Sequence, residues 1–475
     1  MKIVFFMRHR GYVRNFESLL VGLAERGHDV VVAVGDAPTP WLGSSPGTSH
    51  PLAESCPAIE FRSGPRQRGL AAVLGRRLRV ARDYLRYLGP AYAHAEPLRV
   101  RARGKAPLSI RALVHVPRIR SASGLARLDR VLGRLERNLP RPKEIDRFLS
   151  AERADAVLVT PLIEIGSPQT AIVRAAQAAQ IPVGLCVASW DNLTNKGGIR
   201  EDLDLVAVWN EPQRREAIEL HGVPPERVVA TGANAYDHWF DWEPSASRAE
   251  FCASAGLQAN RPFVLYVGSS RFIAPDEVPF VMRWLQFLRS HDDPALRELG
   301  VLIRPHPQNA TQWENFDVSA FAGVAVRPRG GEDPVDRASK SFFYDSIYHS
   351  AGVVGINTSA LIESAIVGRT VYTLALPEVR RGQEGTLHFR HLVQAGGGVL
   401  QTARSLEEHA AQLQRGLAVP DAADRNKAFL EEFVRPFGLD SPAAPRLIEA
   451  IERIAGTAAG PTNERSVATG IVRAP

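Results

Sequence analysis

The sequence predicts an α/β protein built as two doubly wound lobes facing a cleft, with an Arg-rich helical insertion in the first lobe. Three observations carry that expectation. The chain opens as strand, turn, helix, strand. The same alternation restarts near residue 261. At 475 residues the chain exceeds what one hydrophobic core normally fills.

The elements follow in order. KIVFFM (2–7) is a buried strand and RHRGYVRN (8–15) its turn. FESLLVGLAERG (16–27) is an amphipathic helix stopped by Gly27, and HDVVVAVG (28–35) is the next strand. The turn holds a single glycine, so it lacks the GxGxxG dinucleotide fingerprint and speaks against an NAD enzyme. A Pro-, Gly- and Ser-rich connection follows (37–51), then the basic insertion (66–150). Strands resume at 155–161, 182–189, 203–210 and 227–234, with a helix over 170–179. Ala235 to Ser247 breaks the rhythm and reads as a linker. It separates a first lobe (1–240) from a second (248–456). The second lobe starts at RPFVLYVGSS (261–270), with a helix near 277–290 and strands in 300–309 and 323–328. Its most informative stretch is a βαβ unit from Gly352 to Leu374. There Val353-Val354 runs into Gly355-Ile356-Asn357-Thr358-Ser359, and a helix (360–367) ends at Gly368. A last helix is expected at 445–455 and a disordered tail at 457–475.

Hydrophobic content of 45% and charged content of 23% fit a soluble protein. No apolar run reaches the roughly 18 residues that span a bilayer. Arg8, His9 and Arg10 interrupt the apolar start too soon for a signal peptide. Cys56, Cys186 and Cys252 are far apart and show no metal spacing. These features lead to the expectation of a cytoplasmic protein with no metal and no cofactor. Between Arg66 and Pro142, eighteen Arg and one Lys face four acids, although the whole chain carries only +7. GRRLRVARDYLRYLG and ARLDRVLGRLERNL space Leu and Val on one helical side. Such a block suits an anionic membrane surface, which would place the protein peripherally on the inner face of the cell membrane. A solvated helical surface is the plain alternative. No helix-turn-helix or aromatic-interleaved basic motif appears, so nucleic acid is not an expected partner.

Candidate site residues cluster at strand C-terminal ends, where open α/β sheets bind ligands. Gly268 and Ser269 are small enough for close backbone approach. Arg304 can clamp a phosphate, and His306 sits in a rigid Pro frame. Asn357, Thr358 and Ser359 open a helix whose free N–H groups favour an anion, and Glu363 lies one turn on, within reach of a ribose hydroxyl. Gln383 and His388 lie in the polar loop 380–388. In the first lobe, Asp191, Asn192 and Lys196 fall within six residues after a strand. His9, flanked by Arg8, Arg10 and Arg14, suits general-base work because neighbouring cations favour its neutral form.

With these residues in view, RPHPQ followed by YDSIYHSAGVVGINTSALIESAIVGRTVYT resembles the nucleotide-sugar side of the glycosyltransferase-B superfamily. It is similar to surface-polysaccharide transferases and CDP-glycerol glycerophosphotransferase relatives. More remotely it is similar to UDP-N-acetylglucosamine 2-epimerases. The resemblance covers residues 260–400 well and 1–35 in pattern only. It implies two Rossmann-like domains closing on a cleft, with a nucleotide-activated sugar or polyol donor on the second. It would place Thr358 and Ser359 on the donor phosphates, Glu363 on ribose, and Arg304 and His306 against the diphosphate and base. The paired Glu signature of retaining members is absent, because its first position is Gly355. The implied activity is transfer to a glycan or lipid-linked acceptor of the cell envelope, as in polysaccharide biosynthesis. His9 or Asp191 would take the acceptor proton and His306 would assist departure of the diphosphate. The alternatives are a non-hydrolysing UDP-sugar 2-epimerase and a catalytically inactive, membrane-associated scaffold.

Overall fold

A computed structural model describes residues 1–35, 50–418 and 423–458. Residues 459–475 of the expected tail (457–475) and most of the connection at 37–51 lie outside these residues, while 457 and 458 continue the last helix.

Two parallel sheets form the frame. The first runs β3-β2-β1-β4-β5-β6-β7. Its strands are β1 (Lys2–Met7), β2 (Asp29–Val34), β3 (Ile59–Ser63), β4 (Ala156–Thr160), β5 (Val183–Cys186), β6 (Leu205–Val208) and β7 (Val228–Ala230). The second runs β10-β9-β8-β11-β12-β13. Its strands are β8 (Phe263–Val267), β9 (Gly300–Arg304), β10 (Val324–Val326), β11 (Gly352–Gly355), β12 (Val371–Leu374) and β13 (Leu400–Ala403). Each strand order reverses once, between β1 and β4 and between β8 and β11. Ile3 lies beside Val30 and Ala156, and Val353 beside Leu265 and Val371. Such reversals open a crevice at the strand C-termini. The expected fold class, two α/β lobes with parallel sheets, is the observed one.

The central strands read as unbroken apolar runs because helices cover both sheet faces. Val4, Phe6, Val157 and Val159 fill one face of the first sheet, and Ile3, Phe5 and Leu158 the other. Strands β3 and β13 were not anticipated. Each is a short edge strand: β3 alternates apolar and polar residues over only five positions, and β13 has four residues with two polar ones at its centre, too few for a period to stand out.

Two expectations are corrected by packing. The final helix, Ala443–Ala458, falls in the span assigned to the second lobe, yet it returns to the first. Leu447, Ile448 and Ile451 bury against Leu19, Leu20 and Leu23. Its first N–H groups, from Ala443 and Ala444, donate to the Asp237 carboxylate at 2.9 Å each. An amphipathic helix does not name the surface it covers; only the fold supplies that.

The basic insertion is helical, as expected, but part of its charge is internal. Helices Leu70–Tyr87 and Ala122–Arg137 pack together through Arg79–Glu136 (3.2 Å), Arg82–Asp129 (2.9 Å) and Arg82–Glu136 (3.1 Å). Arg86 donates to the carbonyls of Leu193 and Lys196 at 2.9 and 3.1 Å. Buried charges of this kind are held by their partners and present nothing to a membrane. Arg76, Arg77, Arg103, Arg118 and Arg120 remain exposed. Among the described residues no helix is long and apolar enough to cross a membrane.

Candidate functional site

The two lobes enclose a cavity of about 360 Å³ between the C-terminal ends of their sheets. From the first lobe, the turn after β1 contributes His9 and Arg14, and the loop after β5 contributes Asp191, Asn192 and Lys196. From the second, Gly268 follows β8, Arg304 and His306 follow β9, and Thr358, Ser359 and Glu363 follow β11. Ten of the residues singled out in the sequence therefore meet in one space, although they come from five separate loops. Asn357 and His388 line an adjoining chamber of about 250 Å³.

The lobes touch directly beside the cavity. Trp190, buried under the β5 loop, donates its indole N–H to Ser359 Oγ at 3.1 Å. Asn195 Nδ2 lies 2.6 Å from His388 Nδ1. Lys340 of the second lobe pairs with Glu17 of the first at 3.1 Å.

The second-lobe wall carries a buried cation and hydrogen-bond donors. Arg304 is 7% exposed. Its guanidinium sits over Phe343, 4.5 Å from the ring centre, and donates to the Glu332 carbonyl at 3.1 Å. Its Nη1 is buried with no partner among the described residues. Burial lowers its pKa to about 10, so it is still a cation at neutral pH. A buried cation with a free N–H is a stabilising partner for an anion. His306 Nδ1 accepts from the Gln308 N–H at 3.1 Å, which leaves the neutral ring's proton on Nε2 as a donor. Burial holds its pKa at about 4. The helix Ala360–Ile366 starts at this wall, so the positive end of its dipole faces the same space.

Titration splits the carboxylates. Burial raises Glu363 to about 7, against the opposing pull of Arg14 and Arg304. Burial also opposes ionisation of Asp191, but Lys196, His388, Ser189 and Arg101 bring it down to about 2. Lys196 Nζ lies 3.5 Å from its carboxylate. Asp191 is thus a fixed negative charge and a weak proton acceptor. His9 is held at about 4 by burial and by Arg8 and Arg14. Its ring packs at a tilt against Tyr12, with ring centres 4.5 Å apart, and its Nδ1 is buried without a partner among the described residues.

Several expected ligand contacts are structural. Ser269 is fully buried and absent from both chambers; its N–H donates to Glu277 at 3.0 Å. Gln383 is fully buried and donates to Ile356, Thr373 and Leu374 at 2.9–3.2 Å, fastening its loop under β12. Asn357 lines the smaller chamber with its Oδ1 unpartnered among the described residues, while its Nδ2 donates to the Gly382 carbonyl at 2.7 Å. Gly268 does line the cavity, but β9 explains it: a Cβ there would stand 2.9 Å from His306 N and 3.2 Å from Arg304 O. Polar residues at a strand end serve the loop's own hydrogen bonds as readily as a ligand, and sequence does not separate the two uses.

Other lining residues went unnoticed. Glu332 and Asp333 come from the loop after β10, and Asp333 pairs with Arg14 of the other lobe. Their signal was present as RGGEDPVD, a polar loop at a fifth strand end on the same edge. Tyr236, Trp239 and Trp242 of the interlobe segment join Phe343 and Tyr344 in an aromatic wall. Trp242 stacks on Tyr344 with ring centres 5.9 Å apart. In the sequence that segment marks only a linker, because its aromatic residues gain their partners from the second lobe.

Neither a protein-family model nor a curated protein sequence matches the chain. Solved structures do match in shape. S. aureus MnaA in a co-structure with UDP aligns at TM-score 0.53 and 12% identity, over 96% of this chain and 97% of that one. Methanocaldococcus jannaschii UDP-GlcNAc 2-epimerase, in complex with UDP-GlcNAc and UDP, aligns at 0.53 and 10%, over 95% and 100%. A glycosyltransferase from Rickettsia africae aligns at 0.53 and 10%, over 95% and 98%. The chain has the GT-B fold. At such identity the likeness shows architecture alone, and the chemistry of this GT-B cleft rests on its own residues.

Proposed function

We propose that the cleft binds a nucleoside-diphosphate sugar or polyol and that the protein is an enzyme acting on that group. One observation carries this reading. Arg304 with its unpartnered Nη1, the Nε2 donor of His306 and the helix end at Thr358–Ser359 converge on one wall, which fits a diphosphate. Glu363 and the aromatic wall next to it offer a ribose acceptor and a stacking surface. A thermal-shift panel of UDP, CDP and GDP tests it. A ligand at about 100 times its Kd adds about 2.7 kcal/mol of stability. No shift with any of the three sinks the reading and leaves the inactive-scaffold alternative.

The first chemical reading is transfer. An acceptor hydroxyl oxygen bonds to the donor's activated centre, the bond to the diphosphate breaks, and the nucleotide leaves with the electron pair. His9 takes the hydroxyl proton, Asp191 fixes Lys196, and Arg304 and His306 take up the growing charge. Empty, the cleft holds His9 below its useful range. A bound diphosphate offsets Arg8 and Arg14 and moves its pKa back towards neutral. The acceptor on this reading is a cell-envelope glycan or lipid-linked sugar, met at an anionic membrane by the basic insertion. Exposed Leu70, Val73 and Leu74, at helical spacing beside Arg76 and Arg77, support that placement.

A 2-epimerase is the second reading, and the shape comparisons lean towards it, since the Methanocaldococcus jannaschii structure named above is a UDP-GlcNAc 2-epimerase in complex with UDP-GlcNAc and UDP. The cavity also holds the acid/base carboxylates such chemistry needs: Glu363 near neutrality, with Asp333 beside it. Incubation with UDP-N-acetylglucosamine alone separates the two. Appearance of the 2-epimer establishes the second reading and removes the first.

A further inference from the structure

The smaller chamber has a wall of its own. It shares Asp191, Lys196, His306 and Thr358 with the main cavity and then extends to Arg101, in the helix Glu96–Lys105 of the basic insertion. Arg101 sits over Phe272 of the second lobe, 4.1 Å from the ring centre, and donates to the Asn195 carbonyl. Its Nε is buried with no partner among the described residues. Lys105 lies one helical turn on, on the same face. Burial first, then the cations Arg101, Arg76 and Lys196, lower its pKa, and of these cations Arg101 and Lys196 line the chamber itself. Glu164 also acts on Lys105 but is already paired with Arg8. Asp191 is the other acid at the chamber, and Lys196 takes it up.

The main cavity already accounts for a nucleotide. Nothing in its chemistry needs an insertion whose arginine closes a second, joined space and crosses to the opposite lobe. Neighbouring cations repel one another, and a bound anion relieves the cost. An Arg fork beside a Lys ammonium matches a phosphate monoester, whose charge of −1.5 to −2 balances two cations.

We infer that this chamber is a subsite for the phosphate group of the acceptor, held by Arg101 on its wall, with Lys105 one helical turn away, next to the point where the donor diphosphate leaves. The inference deepens the transfer reading and rests on it, because an epimerase acts on its nucleotide sugar alone. The phosphate is either a lipid headgroup at a bilayer or part of a soluble sugar or polyol phosphate.

The experiment uses the full chain. Glycerol 3-phosphate, and separately phosphatidylcholine vesicles carrying phosphatidic acid, are titrated with and without saturating UDP. At least one probe binds, and UDP changes its affinity by less than about threefold. Arg101→Gln and Lys105→Gln each weaken the probe by at least about tenfold, while UDP affinity stays within about threefold. Lys105 is exposed as a residue and pairs with no group of the second lobe among the described residues, so its variant remains informative if Arg101→Gln loosens the lobes. Binding of the vesicles alone identifies a headgroup; binding of glycerol 3-phosphate identifies a soluble acceptor. Failure of both probes, displacement by UDP, or undiminished binding in both variants overturns the subsite. UDP binding without probe binding leaves the nucleotide reading standing; probe binding without UDP binding does the reverse.

Discussion

Arg14 and Asp333 form an ion pair across the cleft, one from the turn after β1 and the other from the loop after β10. They act on Glu363 in opposite directions: Arg14 lowers its pKa and Asp333 raises it. Asp333→Asn removes the like charge and keeps both arginines, so Glu363 should titrate below 7. The pH midpoint of UDP affinity that disappears in Glu363→Gln should therefore move to lower pH in Asp333→Asn. An unmoved midpoint rules out this coupling.

Arg304→Gln removes the buried guanidinium from the anion wall. Hydrogen bonds to charged groups contribute about 1.5–3 kcal/mol, so UDP should bind roughly 10- to 100-fold more weakly by calorimetry. Equal affinity would exclude the wall as the diphosphate seat.

His9→Gln should slow turnover about 100- to 10,000-fold with UDP affinity intact. The pH profile carries a sign. A base loses activity as pH falls through its pKa. The free enzyme, read by kcat/KM, should show that limb near 4. The donor complex, read by kcat, should show it at higher pH, because the diphosphate favours the imidazolium. Coincident limbs would remove His9 from the proton transfer.

Glu277 is fully buried, accepts from the Ser269 N–H and bonds the Tyr266 hydroxyl at 2.8 Å; burial raises its pKa to about 8. A raised carboxyl binds its proton more tightly in the folded state. Its contribution is complete below the ordinary value of 4.5 and is lost as pH rises towards 8. Glu277→Gln keeps the shape and a donor. Melting temperature should then fall less between pH 5 and 8 than in the wild type. Parallel curves would show that this carboxyl ionises without cost.

Leu70 and Leu108 are 73% and 77% exposed on the basic insertion. The double change Leu70→Ser, Leu108→Ser should reduce flotation with anionic vesicles and leave UDP binding alone. Each deleted apolar contact contributes about 1.5–3 kcal/mol when fully buried, so partial insertion still gives a measurable loss. Unchanged flotation would make the face a plain solvated surface.

Much of the site was legible because chemistry and topology coincide. Arg304, His306, Thr358, Ser359 and Glu363 follow unmistakable strands, and parallel strands deliver their loops to one edge. Ser269 and Gln383 were misread because a buried hydrogen-bonding role leaves the same residue types behind. Asp333 and the aromatic segment from Tyr236 to Trp242 were missed because each acquires its meaning from the opposite lobe.

Sequence alone determined the two α/β lobes, since apolar runs alternating with amphipathic helices have few other ways to bury their surface. It also located the basic insertion and the second-lobe residues Arg304, His306, Thr358, Ser359 and Glu363 that line the cavity. Tertiary structure alone decided that the last helix returns to the first lobe, that Arg79, Arg82 and Arg86 face inward, and that Arg101 reaches the cleft. Those outcomes depend on which surfaces meet across long separations, and a charge or an apolar stripe specifies the kind of partner it needs, never its address.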